Sequence, residues 1–223
     1  RDAIRSVLSQ KADFKFNLII IDNHSTDGTT EAIDEFKDDE RLIHLIPERN
    51  DLGIGGCWNL GVHHPLCGKF AVQLDSDDVY AHDGTLQVMV NAFYEQNCAM
   101  VVGTYMMTDF DMNMIAPGII DHKEWTPENG RNGLGAPRAF YTPILRELKV
   151  PNTSYGEDYA LGLNFSRQYQ IGRVYEVVYL CRRWDDNSDA SLDIVKMNAH
   201  NLYKDRIRTW ELQARIALNK KQR

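Results

Sequence analysis

Short apolar runs alternate along this chain with segments whose apolar residues recur every three or four positions. Phe16 to Ile21, Leu42 to Ile46, Phe70 to Leu74, Ala99 to Val102 and Arg173 to Leu180 read as buried strands. Gly28 to Lys37, Gly53 to His63 and Thr85 to Gln96 carry the helical period between them; a further helix starts near Glu157 and a long one covers Leu192 to Leu218. Ser25, Thr26 or Asp27 supplies N-cap chemistry for the first of these, and Asp83 for the third. Such alternation predicts an α/β fold with a mostly parallel sheet flanked by helices. Asp109 to Arg138 breaks the pattern: it is weakly periodic, rich in Gly and Pro, and predicted as a long loop. At the other end, Ala3, Ile4, Val7 and Leu8 are already at helical spacing with no Met or capping residue before them, so the chain reads as a fragment lacking its first strand.

The placement of acidic residues changes this from a fold pattern into a candidate site. Asp75-Ser76-Asp77-Asp78 follows the Phe70 run without a spacer, which puts three carboxylates at a strand's C-terminal tip, where open α/β sheets bind ligands. Carboxylates this close resist simultaneous ionisation and are stabilised by a divalent cation or a polyhydroxylated ligand. An EF-hand loop starting at Asp75 is excluded, because its sixth and twelfth positions are Tyr80 and Leu86 instead of Gly and Glu. Asp22 also ends a predicted strand and is expected on the same rim.

A net charge of −7 argues against nucleic acid as a partner, although residues 204 to 223 hold seven Lys or Arg against two acids. There Ile207, Trp210, Leu212, Ile216 and Leu218 are interleaved with basic residues, so a helix packed on its own domain, a homodimer contact or a peripheral contact with an anionic membrane would all use this pattern. No run of about 18 apolar residues is present to span a bilayer. Cys57, Cys67, Cys98 and Cys181 lack metal-ligand spacing and suit reduced thiols in the cytoplasm. His63-His64-Pro65 reads as a surface turn, and Trp125 as an ordinary packing residue.

Five separated segments resemble the family 2 glycosyltransferases of GT-A fold. Leu18 to Thr29 is similar to that family's second strand and acidic turn, and Asn50-Asp51-Leu52-Gly53 through Asn59-Leu60-Gly61 to its next signature. Asp75-Ser76-Asp77-Asp78 resembles its DxD element, Gly156-Glu157-Asp158-Tyr159 its acidic helix start, and Arg182 to Ser188 its late loop. The resemblance implies an inverting transferase that moves a sugar from a nucleotide-sugar donor to an acceptor hydroxyl, as in polysaccharide biosynthesis. It also implies donor contacts from Asp22, Asn50, Asp75 and Asp77, with Mg²⁺ or Mn²⁺ on Asp77 and Asp75. Asp158 would be the general base, with Glu157 beside it holding the acceptor, a sugar or a lipid-linked molecule at the inner face of the membrane. The resemblance covers residues 1–190, leaving 191–223 as a helical appendage.

The chain departs from that family's pattern at three places. Cys57-Trp58 stands where family members commonly carry Ala-Arg, Trp184 stands where the late loop often supplies a metal-binding His, and the first strand is not present. A sugar nucleotidyltransferase, which shares a related sheet, and a degenerate non-catalytic donor-binding domain are the alternative readings.

Overall fold

The structure, a computed structural model, describes residues 1–121, 134–184 and 193–221. Helix α1 (Asp2–Leu8) buries Ile4 and Val7, and β1 (Leu18–Ile21) follows. After α2 (Thr29–Asp34), β2 (Leu42–Leu45) pairs with β1 in parallel, from Leu18 opposite Leu42 to Ile21 opposite Leu45. Then come α3 (Ile54–His63), β3 (Phe70–Val72), the two-residue β4 (Val79–Tyr80) and α4 (Thr85–Glu95). Strand β5 (Met100–Thr108) leads into β6 (Met114–Ile120), then β7 (Arg138–Tyr141), α5 (Thr142–Leu148) and α6 (Glu157–Phe165). The long β8 (Ile171–Arg182) and α7 (Ile194–Lys221) complete the order.

The larger sheet runs β3-β7-β5-β8-β4, with β6 also on β5. Its pairing is mixed rather than mostly parallel. β5 and β8 are parallel, from Met100 opposite Ile171 to Thr108 opposite Arg182, whereas β3/β7, β5/β7, β5/β6 and β4/β8 are antiparallel. The reason lies in the segment expected to be a loop. Its first part folds back as β6 through a turn in which Asp109 accepts the backbone N–H of Asn113 at 2.9 Å, and its end becomes β7, inserted between β3 and β5. Trp125 lies outside the described residues, as do positions 185–188 of the late loop.

Period-2 alternation on the central strands sorts the core into two layers. Met100 and Val102 of β5 and Phe140 of β7 face α5 and α6, packing with Leu145, Leu161 and Phe165. Val101 and Ala139 face the other way, onto Met89 and Phe93 of α4. Each fully buried large side chain contributes about 1.5–3 kcal/mol by leaving water. These layers hold β3 and β7 rigid beneath the acidic tip.

α7 packs along α6. Glu211 accepts from Arg167 at 2.6 Å and from Arg215 at 2.7 Å, His200 stacks on Tyr155 at 3.7 Å, and Arg208 donates to the Tyr159 hydroxyl at 3.0 Å. No helix among the described residues is long and apolar enough to cross a membrane. Cys57, Cys67, Cys98 and Cys181 are all free thiols.

Candidate active site

The chain leaves β3 at Val72 and turns at once through Gln73, Leu74 and Asp75, so the acidic turn is anchored to an edge strand of the larger sheet that is paired with β7. Asp78 N–H closes that turn onto the Asp75 carbonyl at 3.2 Å. The three carboxylates of this turn then take different roles. Asp78 is 4% exposed and accepts the Arg182 backbone N–H and the Tyr179 hydroxyl, each at 2.7 Å, which ties the turn to the far end of β8. Burial pushes its pKa up to about 7, against these hydrogen bonds and with the help of the Asp77 and Asp75 charges. The Tyr179 oxygen also lies 3.2 Å from Asp75 Oδ2. One hydroxyl proton therefore serves two carboxylates, and the shorter contact gives it to Asp78.

Asp75 keeps contact with solvent while protein atoms crowd its carboxyl. That crowding raises its pKa, Arg138 opposes the rise, and Asp77 adds to it. The Gln73 amide donates to its Oδ1. Asp77 is half-buried, with Trp184 Nε1 at 3.4 Å from its Oδ2 and its backbone carbonyl held by Arg182 Nε. Arg182 is itself fixed by Asp2 at 3.0 Å and lies over the Phe110 ring at 4.4 Å. A cleft of about 210 Å³ opens here, lined by Asp75, Asp78, Tyr105 and Arg183 among others.

The second acidic pair arrives from α6. Gly156 takes φ +72°, a conformation that costs an L side chain energy, and so turns the chain to start α6 on Glu157. Two carboxylates in a first helical turn suit the helix dipole. Glu157 is 8% exposed, and its Oε2 has no hydrogen-bond partner among the described residues. Burial lifts its pKa to about 7, with the Asp158 and Asp75 charges adding and Arg138 opposing. Asp158 accepts Tyr159 N–H at 2.6 Å through Oδ1 and Arg138 Nη2 at 2.5 Å through Oδ2.

Arg138 joins the two acidic groups. Its Nη1 donates to Gln73 Oε1 at 2.7 Å, so hydrogen bonds run from Asp158 through Arg138 and Gln73 to Asp75. The guanidinium lies over Trp58 at 5.7 Å. A cation is therefore present beside the Cys57-Trp58 departure, but β7 supplies it rather than α3.

Asp22 and Asn50 lie on the loops after β1 and β2. Asp22 is 3% exposed and spends its carboxylate inside its own loop, accepting Ser25 N–H at 2.9 Å and the Thr30 hydroxyl at 2.5 Å, with His44 Nε2 at 3.5 Å. Burial acts to raise its pKa, and the hydrogen bonds from Ser25 and Thr30 outweigh this, leaving it at about 2. A direct contact from Asp22 to the donor, as the resemblance implies, would compete with these partners. Asn50 is exposed. The glycines that follow it have a packing reason: a Cβ on Gly55 would sit 1.9 Å from the Pro151 carbonyl, and Gly55 N–H donates to Thr153 O at 2.9 Å. The start of α3 is thus covered by the 150–154 loop.

A divalent cation fits Asp75 and Asp77. Neither is buried, their charges repel one another, and the Tyr179 proton that Asp75 could use goes to Asp78. Among the described residues no group of three or more His, Cys, Asp or Glu converges, so water and substrate phosphate would complete the shell, as Mg²⁺ commonly prefers. Sequence reading missed Asp78, Gln73, Arg138, Tyr179 and Arg182 as site-building residues. Asp78 and Arg182 lie inside the recognised motifs, whereas nothing in the local sequence of Arg138 or Tyr179 announces a partner 20 or 101 positions away.

A mixed sheet with helices on both faces and acidic groups gathered at one edge defines the GT-A class of nucleotide-sugar-binding folds, and solved structures agree. The chain superposes on Staphylococcus aureus TarS 1–349 in complex with UDP-GlcNAc with a TM-score of 0.68 at 18% identity, covering 86% of this chain and 57% of that one. It also superposes on the mannosyltransferase PcManGT of Pyrobaculum calidifontis, in complex with GDP-Man and Mn²⁺, with a TM-score of 0.61 at 17% identity, covering 82% and 53%. The sequence profile described as "Glycosyl transferase family 2" matches residues 1–141, and the chain belongs to that family. Among curated relatives, an uncharacterized glycosyltransferase of Haemophilus influenzae is 30% identical over 112 residues, half of this chain and 44% of that protein. The putative teichuronic acid biosynthesis glycosyltransferase TuaG of Bacillus subtilis is 27% identical over 106 residues, 48% of this chain and 41% of that protein. The chain thus spans less than half of either relative.

Proposed function

We propose that this chain is the transfer unit of an inverting, metal-assisted glycosyltransferase acting on a nucleotide-sugar donor. The observation that carries this reading is the hydrogen-bonded path joining Asp75 at the β3 tip to Asp158 at the start of α6, since leaving-group and nucleophile chemistry must meet in one place. The donor complexes of the two structural neighbours support the same reading.

In this account Asp75 and Asp77 hold Mg²⁺ or Mn²⁺, which when bound supplies Lewis-acid stabilisation of the departing diphosphate. The acceptor hydroxyl attacks the anomeric carbon as the bond to the diphosphate oxygen breaks, and a single displacement inverts the configuration. Asp158 takes the hydroxyl proton, a step that contributes about 10²- to 10⁴-fold. Glu157 holds the acceptor. One observation favours a second assignment: the buried Glu157 carboxyl, whose Oε2 has no hydrogen-bond partner among the described residues and whose pKa burial lifts to about 7, suits proton transfer at neutral pH and makes Glu157 the alternative base. Asp22 serves the donor side by holding the Asp22–Thr30 turn in shape, and Asn50 contributes a donor contact from the neighbouring loop.

Residues 1–190 form this unit in the proposal and 191–223 its appendage. The acceptor is a sugar or a lipid-linked molecule, reached at the cytoplasmic face of a membrane. The test is incubation with UDP- and GDP-sugars and Mn²⁺, with analysis of the products. Nucleoside diphosphate and an inverted sugar are expected. With pyrophosphate added, formation of nucleoside triphosphate and sugar 1-phosphate would indicate a nucleotidyltransferase, and no turnover of any donor would indicate a binding domain.

A further inference from the structure

Arg138 is 8% exposed, and all three of its guanidinium nitrogens are used. Nε donates to Leu134 O at 2.8 Å, Nη1 to Gln73 Oε1 at 2.7 Å and Nη2 to Asp158 Oδ2 at 2.5 Å, while Trp58 lies against the guanidinium at 5.7 Å. A planar fork held this way has little rotational freedom left, so the carboxylate that meets it is oriented too. Asp158 is more open than Arg138, with 26% of its side chain exposed against 9%. The rigid partner is therefore the arginine, and the oriented one is the carboxylate. The other Asp158 oxygen accepts the N–H of Tyr159, which fixes the carboxylate at both ends.

The same arginine reaches the acidic tip through the Gln73 amide. Gln73 accepts from Arg138 with its oxygen and donates to Asp75 with its nitrogen, so its orientation is set by both neighbours. Reorientation of Asp75 would be felt at Gln73 first and at Arg138 next.

We propose that Arg138 is a positioning residue for the transfer step, holding Asp158 for proton abstraction and coupling it through Gln73 to the state of Asp75. It acts through Asp158 and does not bind the donor itself. This inference rests on Asp158 as the base, and the experiment separates the two claims.

The test is a double-mutant cycle on the whole chain with Arg138→Gln and Asp158→Asn. It reads nucleoside diphosphate release with water as acceptor, from whichever of UDP-glucose, UDP-GlcNAc and GDP-mannose turns over fastest with Mn²⁺. Arg138→Gln is expected to lower kcat by about 10- to 100-fold while donor KM stays within about threefold, because it removes orientation of the base and no ground-state contact. Arg138→Lys, which keeps the charge and loses the fork, is expected to recover part of that loss. In the Asp158→Asn background, Arg138→Gln is expected to cost less than about threefold. Losses that multiply independently, or a raised donor KM with unchanged kcat, overturn the proposal and place Arg138 on the donor. Unchanged turnover in Asp158→Asn overturns the base assignment and the proposal with it. If Arg138→Gln does not fold, the cycle is run with Gln73→Met, which leaves the Arg138–Asp158 pair in place. That variant is expected to lower kcat severalfold with Asp158 intact and to have no effect in Asp158→Asn. An equal loss in both backgrounds overturns the coupling.

Discussion

Replacing Asp22 by asparagine isolates one buried carboxylate whose partners are all described. Its oxygens accept Ser25 N–H at 2.9 Å and the Thr30 hydroxyl at 2.5 Å, and only 1% of the side chain is exposed. A carboxyl whose pKa falls from 3.8 to about 2 on folding contributes about 2 kcal/mol of stability at neutral pH. Because the folded value is the lower one, that contribution is fully present above the unfolded pKa of 3.8 and is lost as the pH falls through about 2. Asparagine keeps the shape and one acceptor but no charge. Urea denaturation followed by tryptophan fluorescence is therefore expected to show Asp22→Asn less stable by about 2 kcal/mol at pH 7, with the gap shrinking below pH 4. Comparing parent with variant at each pH cancels the other carboxyls that titrate in this range. Equal stability at pH 7, or a gap that does not change down to pH 2, would refute the reasoning. A loosened Asp22–Thr30 turn is also expected to weaken donor binding, which ties the stability measurement to the site.

Gly55→Ala would place a methyl group 1.9 Å from the Pro151 carbonyl, so a loss of about 1–3 kcal/mol is expected by thermal denaturation, with equal stability contradicting the packing of α3 on the 150–154 loop. Glu157→Gln should flatten the pH dependence of stability between about 4.5 and 7. The folded pKa is raised, so the carboxyl favours the fold at low pH and its contribution falls as the pH rises through 7; an unchanged urea profile over that range would show that Glu157 is not the cause. Trp210, Leu212 and Ile216 of α7 are exposed while Ile207 is buried, leaving apolar and basic residues outward. If that face meets a membrane, co-sedimentation with anionic vesicles should be weakened by salt and lost on deleting 204–223, whereas binding indifferent to lipid charge would leave α7 a packing role alone.

What the sequence made legible follows from which forces are local. Leu18 to Ile21 and Leu42 to Leu45 are apolar runs between polar turns, so their strands were readable, as was the helical period of Thr85 to Glu95. Strand β6 was hidden because Pro117 and Gly118 interrupt it and its face is largely exposed. β7 was hidden because it is four residues long and opens on a charged Arg138. Missing those two strands and the two-residue β4, all of which pair antiparallel, led to the expectation of a mostly parallel sheet. At the site, the acidic motifs stood out in the sequence, but the division of labour among them did not. Asp78 is set apart from Asp75 by Tyr179 and Arg182, both of which arrive from β8, about a hundred positions away. The motif marks the place, and the tertiary contacts divide the roles among its carboxylates.

The central claim is that the Asp75–Asp77 tip binds a nucleotide-sugar with a divalent cation, and titration calorimetry tests it most directly. The parent is expected to bind one of UDP-glucose, UDP-GlcNAc or GDP-mannose in the presence of Mn²⁺ and far more weakly in EDTA. Asp75→Asn and Asp77→Asn are each expected to weaken that binding by about tenfold or more with the fold retained, since even changes around a metal's ligands commonly cost 10- to 100-fold. Binding that is equally strong without the cation and unaffected by both substitutions would contradict the account.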